Sequence, residues 1–117
     1  MKILQIVQQP QRRGAEMFAF DLTTELLARA QVVRTVYLYP AQGIELDQRA
    51  HDVALDADPN HPFERLPGIH PSVTRKLQRI VAEFRLDVVQ ANGARTLKYS
   101  AALKRAVGSE HPFGFVY

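Results

Sequence analysis

The sequence predicts an α/β domain, a parallel sheet covered by helices on both faces. Three observations predict it. Short apolar runs alternate with segments of helical periodicity along the whole chain. The apolar runs are nearly continuous, as in strands buried on both faces, and the order strand, helix, strand of a parallel crossover is complete within the first forty residues. With 117 residues, 46% hydrophobic and 23% charged, the chain has the size and composition of one small domain with one core.

The elements follow in order. "KILQIV" (Lys2 to Val7) is a short β-branched run bounded by Pro10 and reads as a buried strand. Ala15, Phe18, Ala19, Leu22 and Leu26 then recur at helical spacing, which predicts a first helix from about Ala15 to Ala30 with that stripe inward. "VVRTVYLYP" (Val32 to Pro40), rich in Val, Thr and Tyr, is the second strand. After Gly43 come four prolines, Pro59, Pro62, Pro67 and Pro71. "HDVALD" before them is a candidate third strand and the proline-rich part a surface excursion.

Val73, Leu77, Ile80, Val81 and Phe84 define a second helix, opened by Pro71 or Ser72. "LDVVQA" (Leu86 to Ala91) is a further buried strand. The chain then turns on Asn92 and Gly93 into a third helix that stops near Gly108, and "HPFGFVY" reads as one more strand.

In a sheet of this kind the loops after Val7 and after Ala91 share the edge at the carboxyl ends of the strands, where ligands bind. Gln8 to Gly14 and Asn92 to Arg95 are therefore expected to face one crevice. At the first corner Gly14 opens a helix whose N–H groups and dipole favour an anion, with Arg12 and Arg13 as donors and Glu16 as an acceptor for ligand hydroxyls. The rival reading is a glycine needed for a tight turn, two solvated arginines and a dipole-partnered glutamate. Neither GxGxxG nor GxxxxGK[ST] is present. At the second corner Asn92 and Gly93 supply a turn, and Arg95 and Thr96 stand at a helix start where an anion could be met. A turn and cap without ligand fits the same residues. Lys98 and Tyr99 are assigned to helix surface and packing.

Other chemistries are excluded by spacing. His51, His61, His70 and His111 lack ligand spacing, and three of them precede prolines, so they read as loop residues. Asp52, Asp56 and Asp58 lack the calcium-loop pattern, and no metal is expected. Zero cysteines exclude disulfides and thiolate sites and fit a cytoplasmic location. No apolar stretch approaches the roughly 20 residues that span a bilayer, and no secretory signal is recognised. The net charge of +3 mildly favours anionic partners. Arg75, Lys76, Arg79 and Arg85 of the second helix are read as a solvated face, in preference to a membrane or nucleic-acid contact. Nucleic-acid binding has no aromatic platform or motif behind it.

"MKILQIV", "RGAEMFAFDLTTELLARA" with "VVRTVYLY", and "RLDVVQANGARTLKYSAAL" together resemble the N-terminal domain of GT-B glycosyltransferases of the family-4-like group, over Met1 to Tyr117. The resemblance implies a Rossmann-like domain, partial at its end, in which Gly14, Ala15 and Glu16 match a glycine-containing turn at the interdomain cleft. Asp87, Val88 and Val89 match the strand that leads to the active-site loop. Gln90 and Asn92 stand where many members have histidines, a departure that weakens the carry-over of any role the family assigns to an imidazole there. Arg13 replaces a first glycine, and Ala30 and Gln31 replace a Gly-His pair, so the end of the first helix should be less sharply capped.

The resemblance thus implies the acceptor-side half of a glycosyltransferase that moves a sugar from a nucleotide-sugar co-substrate to a hydroxyl acceptor, a glycan or glycolipid. The donor-binding C-terminal domain has no counterpart in the sequence, so the chain alone is expected to be inactive, and a partner or a longer chain would supply that domain. The expected substrate-binding residues are Arg12, Arg13, Gly14, Glu16, Asn92, Gly93 and Arg95, with no catalytic base assigned. No cofactor is expected, and the location is cytoplasmic with peripheral membrane contact as an option. The rival from another class is a non-catalytic ligand-binding or regulatory module on a flavodoxin-like sheet.

Overall fold

The structure is a computed structural model that describes residues 1–10, 14–40, 52–62, 70–107 and 113–116. The strands are β1 (Lys2–Val7), β2 (Val32–Tyr37), β3 (Val53–Ala54), β4 (Val88–Asn92) and β5 (Gly114–Val116). The helices are α1 (Gly14–Ala28), α2 (Pro71–Phe84) and α3 (Ala94–Val107). Among the described residues the five strands form one parallel sheet in the order β3-β2-β1-β4-β5. This is a small Rossmann-like fold. The chain moves outward from β1 to β2 and β3, then returns to the other side of β1 with β4 and β5. The reversal, between β1 and β4, is the topological switch point.

Alternation along the strands divides the core between two faces. Leu4 and Ile6 of β1, Val36 of β2 and Val89 of β4 pack with Val73, Leu77, Val81 and Phe84 of α2 and with Tyr99 and Leu103 of α3. On the other face Val7 and Tyr37 meet Ala19 of α1. The first face carries most of the apolar burial. There, truncating the fully buried Leu77 to alanine should cost about 2–5 kcal/mol.

Four expectations are corrected. First, α1 is rotated from the expected stripe. Phe18 is 60% exposed, Leu22 and Leu26 are half-buried, and the buried positions are Glu16, Ala19 and Thr23. The helix is apolar around most of its circumference, so the pattern of its large residues does not fix which side turns inward. The sheet face beneath supplies the reason for this choice, because buried Gln5 and Thr35 lie on it and small or polar residues pack over them. Thr23 keeps its hydroxyl satisfied by donating to the Ala19 carbonyl at 2.8 Å.

Second, the end of α1 is sharply capped despite lacking glycine. The Gln31 N–H donates to the Leu26 carbonyl at 3.0 Å and the Ala30 N–H to that of Leu27 at 3.1 Å, a Schellman closure with Ala30 at φ 62. An alanine occupies the left-handed position because the chain must turn at once into β2, whose first residue donates to the Met1 carbonyl at 3.0 Å. Third, Pro71 opens α2 at the first helical position, as expected, but the cap is not Ser72: it is His70, whose Nδ1 accepts from the Ser72 N–H at 3.1 Å. Fourth, β2 ends at Tyr37 and β4 begins at Val88. The β1 and β2 backbones nevertheless stay paired further, as the Tyr39 N–H donates to the Gln8 carbonyl at 2.8 Å.

At the amino edge Asp87 fixes the start of β4, its Oδ2 accepting from the Lys2 N–H at 2.8 Å. No helix among the described residues is long and apolar enough to cross a membrane.

Candidate functional site

The two corners meet. Val7 and Asn92, the last residues of β1 and β4, are partners in the parallel register, so both following loops leave the sheet side by side at its carboxyl edge. Gly93 adopts φ +110, a conformation that L side chains rarely take. The space where its Cβ would stand is bounded by the Gln8 side chain, with Oε1 3.1 Å, Cδ 3.6 Å and Cγ 3.8 Å away. Gln8 of the first corner therefore lies across the second.

Beneath this contact is a buried amide network. Asn92, 7% exposed, directs Nδ2 to Gln5 Oε1 at 2.8 Å, to the Ile6 carbonyl at 3.2 Å and to the Gln90 carbonyl at 3.4 Å. Two of these acceptors are backbone oxygens, which fixes which atom of the Asn92 amide faces inward. Gln5, fully buried, must then present its oxygen to Asn92, and its Nε2 has no partner among the described residues. Asn92 thus spends its donor on the sheet, and what it can offer a ligand is its acceptor oxygen.

Gly93 also closes the start of α3. Its carbonyl accepts from the Leu97 N–H at 3.1 Å and from the Thr96 hydroxyl at 2.7 Å. Thr96 is fully buried, so its hydroxyl serves the helix and is withdrawn from the anion role considered for it. Arg95 is committed elsewhere as well. Its Nη1 donates to the Pro59 carbonyl at 3.3 Å, and its guanidinium lies 5.5 Å from the centre of the Tyr39 ring. It ties the β4 corner to the loop after β3, still along the carboxyl edge, as a cation on an aromatic face.

At the first corner, Gly14 begins α1. Its φ is not positive, and no described residue crowds the place of its Cβ; the turn that precedes it lies outside the described residues. Glu16 is 5% exposed and belongs to the sheet-facing stripe of α1. Arg12 and Arg13 lie outside the described residues. The structure therefore brings together Gln8, Asn92 and Gly93, and turns Arg95 toward Pro59.

Gln5 was missed by the sequence reading, and Gln8, placed at the crevice with the rest of its corner, was not among the expected substrate-binding residues. The signal for Gln5 was available, since a glutamine in the middle of "KILQIV" interrupts an otherwise apolar strand. His61 and His70 are loop residues as expected, with ring centroids 4.4 Å apart. His70 is held by its cap and by donating its N–H to the Tyr99 hydroxyl at 3.0 Å. Among the described residues no group of three or more His, Cys, Asp or Glu is placed to hold a metal ion. Comparison with protein-family models, with curated proteins and with solved structures yields no match.

Proposed function

We propose that this chain is the acceptor-side half of a GT-B glycosyltransferase of the family-4-like kind, transferring a sugar from a nucleotide-sugar donor to a hydroxyl of a glycan or glycolipid in the cytoplasm. The observation that carries the reading is the junction of Gln8 with Gly93 over the switch point of the sheet, the place where ligands enter a doubly wound fold. Amides at such a mouth suit neutral hydroxyl groups, because each offers or accepts hydrogen bonds without the charge that a phosphate demands.

In this reading Gln8 and the Asn92 oxygen bind acceptor hydroxyls, Gly93 leaves room for the Gln8 side chain to lie between the two loops, and Gly14 with Arg12 and Arg13 meets the donor phosphates from the opposing domain. Transfer requires that domain, since it would hold the diphosphate leaving group and stabilise its charge. The test is a pair of calorimetric titrations of the 117-residue chain with nucleotide-sugars and with oligosaccharide acceptors. Weak or absent nucleotide binding supports the acceptor-side assignment, and tight nucleotide binding overturns it.

A further inference from the structure

Residues 57–62 leave β3 at the carboxyl edge as a strap that is tied to the rest of the domain at several points. At its near end the Leu55 N–H donates to the Tyr37 carbonyl and the Ala57 N–H to that of Leu38, both at 2.9 Å. Its middle is a local turn, in which Asp58 Oδ1 accepts from the Asn60 N–H at 2.9 Å and the Asp58 carbonyl from the His61 N–H at 3.2 Å. Two contacts then reach the helical layer. Arg95 of α3 donates to the Pro59 carbonyl, and the His61 ring packs against the His70 ring, with centroids 4.4 Å apart and planes inclined by 50°.

His70 is the joint between strap and helix. Its backbone N–H donates to the Tyr99 hydroxyl at 3.0 Å, its carbonyl accepts from the Thr74 N–H at 3.2 Å, and its Nδ1 accepts from the Ser72 N–H at 3.1 Å. The last bond fixes the chemistry of the ring. A backbone N–H can only donate, so Nδ1 presents a lone pair and the single ring proton sits on Nε2. A second proton has to enter at Nδ1. It sets two donors face to face at a helix N-terminus, where unpaired N–H groups already carry partial positive charge, and α2 has no acidic residue in its first turn to offset it. The same assignment argues against a metal held through His70 Nε2, since a neutral imidazole that ligates through Nε2 keeps its proton on Nδ1.

The charged and titratable groups around the pair are Asp56 and Asp58 on the strap side, Arg75 on α2, and Arg95, Lys98 and Tyr99 on α3. Asp58 is engaged by the turn, Arg95 by Pro59, and Lys98 lies 5.3 Å from the centre of the Tyr99 ring. Two imidazolium rings at the separation of His61 and His70 would repel each other.

We propose that the His61–His70 pair is a pH-sensitive latch on this strap: with the rings neutral the cap forms and the strap is held against the start of α2, and a proton on His70 Nδ1 breaks the cap and releases the strap. Imidazole is the side chain that ordinarily changes charge between about pH 5 and 8, so the latch responds to modest acidification. The strap carries the Pro59 carbonyl, and its release frees an Arg95 N–H beside Tyr39, whose own N–H is bonded to Gln8 of the crevice. Acidification thereby adds a free cationic donor to the carboxyl edge. The latch acts whatever ligand enters there, and it stands apart from the reading of that site.

A pH titration of the ligand-free, ¹⁵N-labelled chain from about pH 7.5 to about 5.5 tests it. The Ser72 amide should shift along a single-proton curve, and the Asn60 amide of the strap should move with the same midpoint. His70→Asn supplies a cap acceptor that takes no proton in this range. With an unchanged circular dichroism spectrum, this variant should hold the Ser72 amide in place and abolish the coupled movement of Asn60. His61→Phe keeps a ring against His70, and its Ser72 amide should still shift. The proposal is overturned by a Ser72 amide that stays still in the native chain, by a shift that persists in His70→Asn or vanishes in His61→Phe, or by an Asn60 amide that does not follow Ser72.

Discussion

Gln8 lies across Gly93, its Oε1 3.1 Å from where a Cβ on residue 93 would stand, and so closes the gap between the two loops that leave β1 and β4. Gly93→Ala has two costs, the side-chain contact and the φ of +110. The variant should lose about 1–3 kcal/mol of stability in urea denaturation. Adding Gln8→Ala should recover the steric part and leave the backbone part. Full recovery in the double variant would mean that Gly93 is required for the contact alone.

The amide pair below predicts an asymmetry. Asn92→Leu strands the Gln5 oxygen in the core, whereas Gln5→Leu also removes an Nε2 that has no partner among the described residues. Asn92→Leu should therefore cost more, about 1–3 kcal/mol, and the double variant less than the sum of the two. A denaturation cycle over the four proteins measures the coupling. Strict additivity would contradict the network.

Ala30 holds a left-handed φ of 62 inside a fully formed Schellman closure. Ala30→Gly keeps the hydrogen bonds and removes the Cβ clash, and should stabilise the domain by about 1 kcal/mol, seen as a raised thermal midpoint. Destabilisation would show that the alanine methyl contributes packing worth more than the strain.

Gly14 makes the opposite demonstration. With no described residue within 4 Å of its Cβ and no positive φ, Gly14→Ala should leave stability within about 0.5 kcal/mol. Any loss of ligand binding in that variant then reports on close approach of the ligand to the helix mouth. A large loss of stability would contradict the open geometry.

The sheet was legible because its strands are short apolar runs whose period and length leave little choice. Lys2 to Val7 was expected and is found with the same bounds. The rotation of α1 was not legible, since a helix with Phe18, Leu22 and Leu26 on one side and Phe20 and Leu27 on another offers several inward faces. What decides is Gln5 and Thr35 on the sheet below, a contact between elements that no window along the chain contains. The meeting of the two corners followed from topology alone. The commitment of Arg95 to Pro59 did not, because it depends on where the loop after β3 runs, 36 residues away in sequence. His70 as an N-cap was hidden by the familiar claim of Ser72 to that position.

The most direct test of the account is chemical-shift mapping on the ¹⁵N-labelled chain, following the Gln8, Gly93 and Leu97 amides and the Asn92 side-chain amide during separate titrations with oligosaccharides and with nucleotide-sugars. The account predicts that saccharides move these signals together and that nucleotide-sugars leave them nearly unmoved. Saturable shifts of the same signals by nucleotide-sugars, with none from saccharides, would contradict the assignment of this edge to the acceptor.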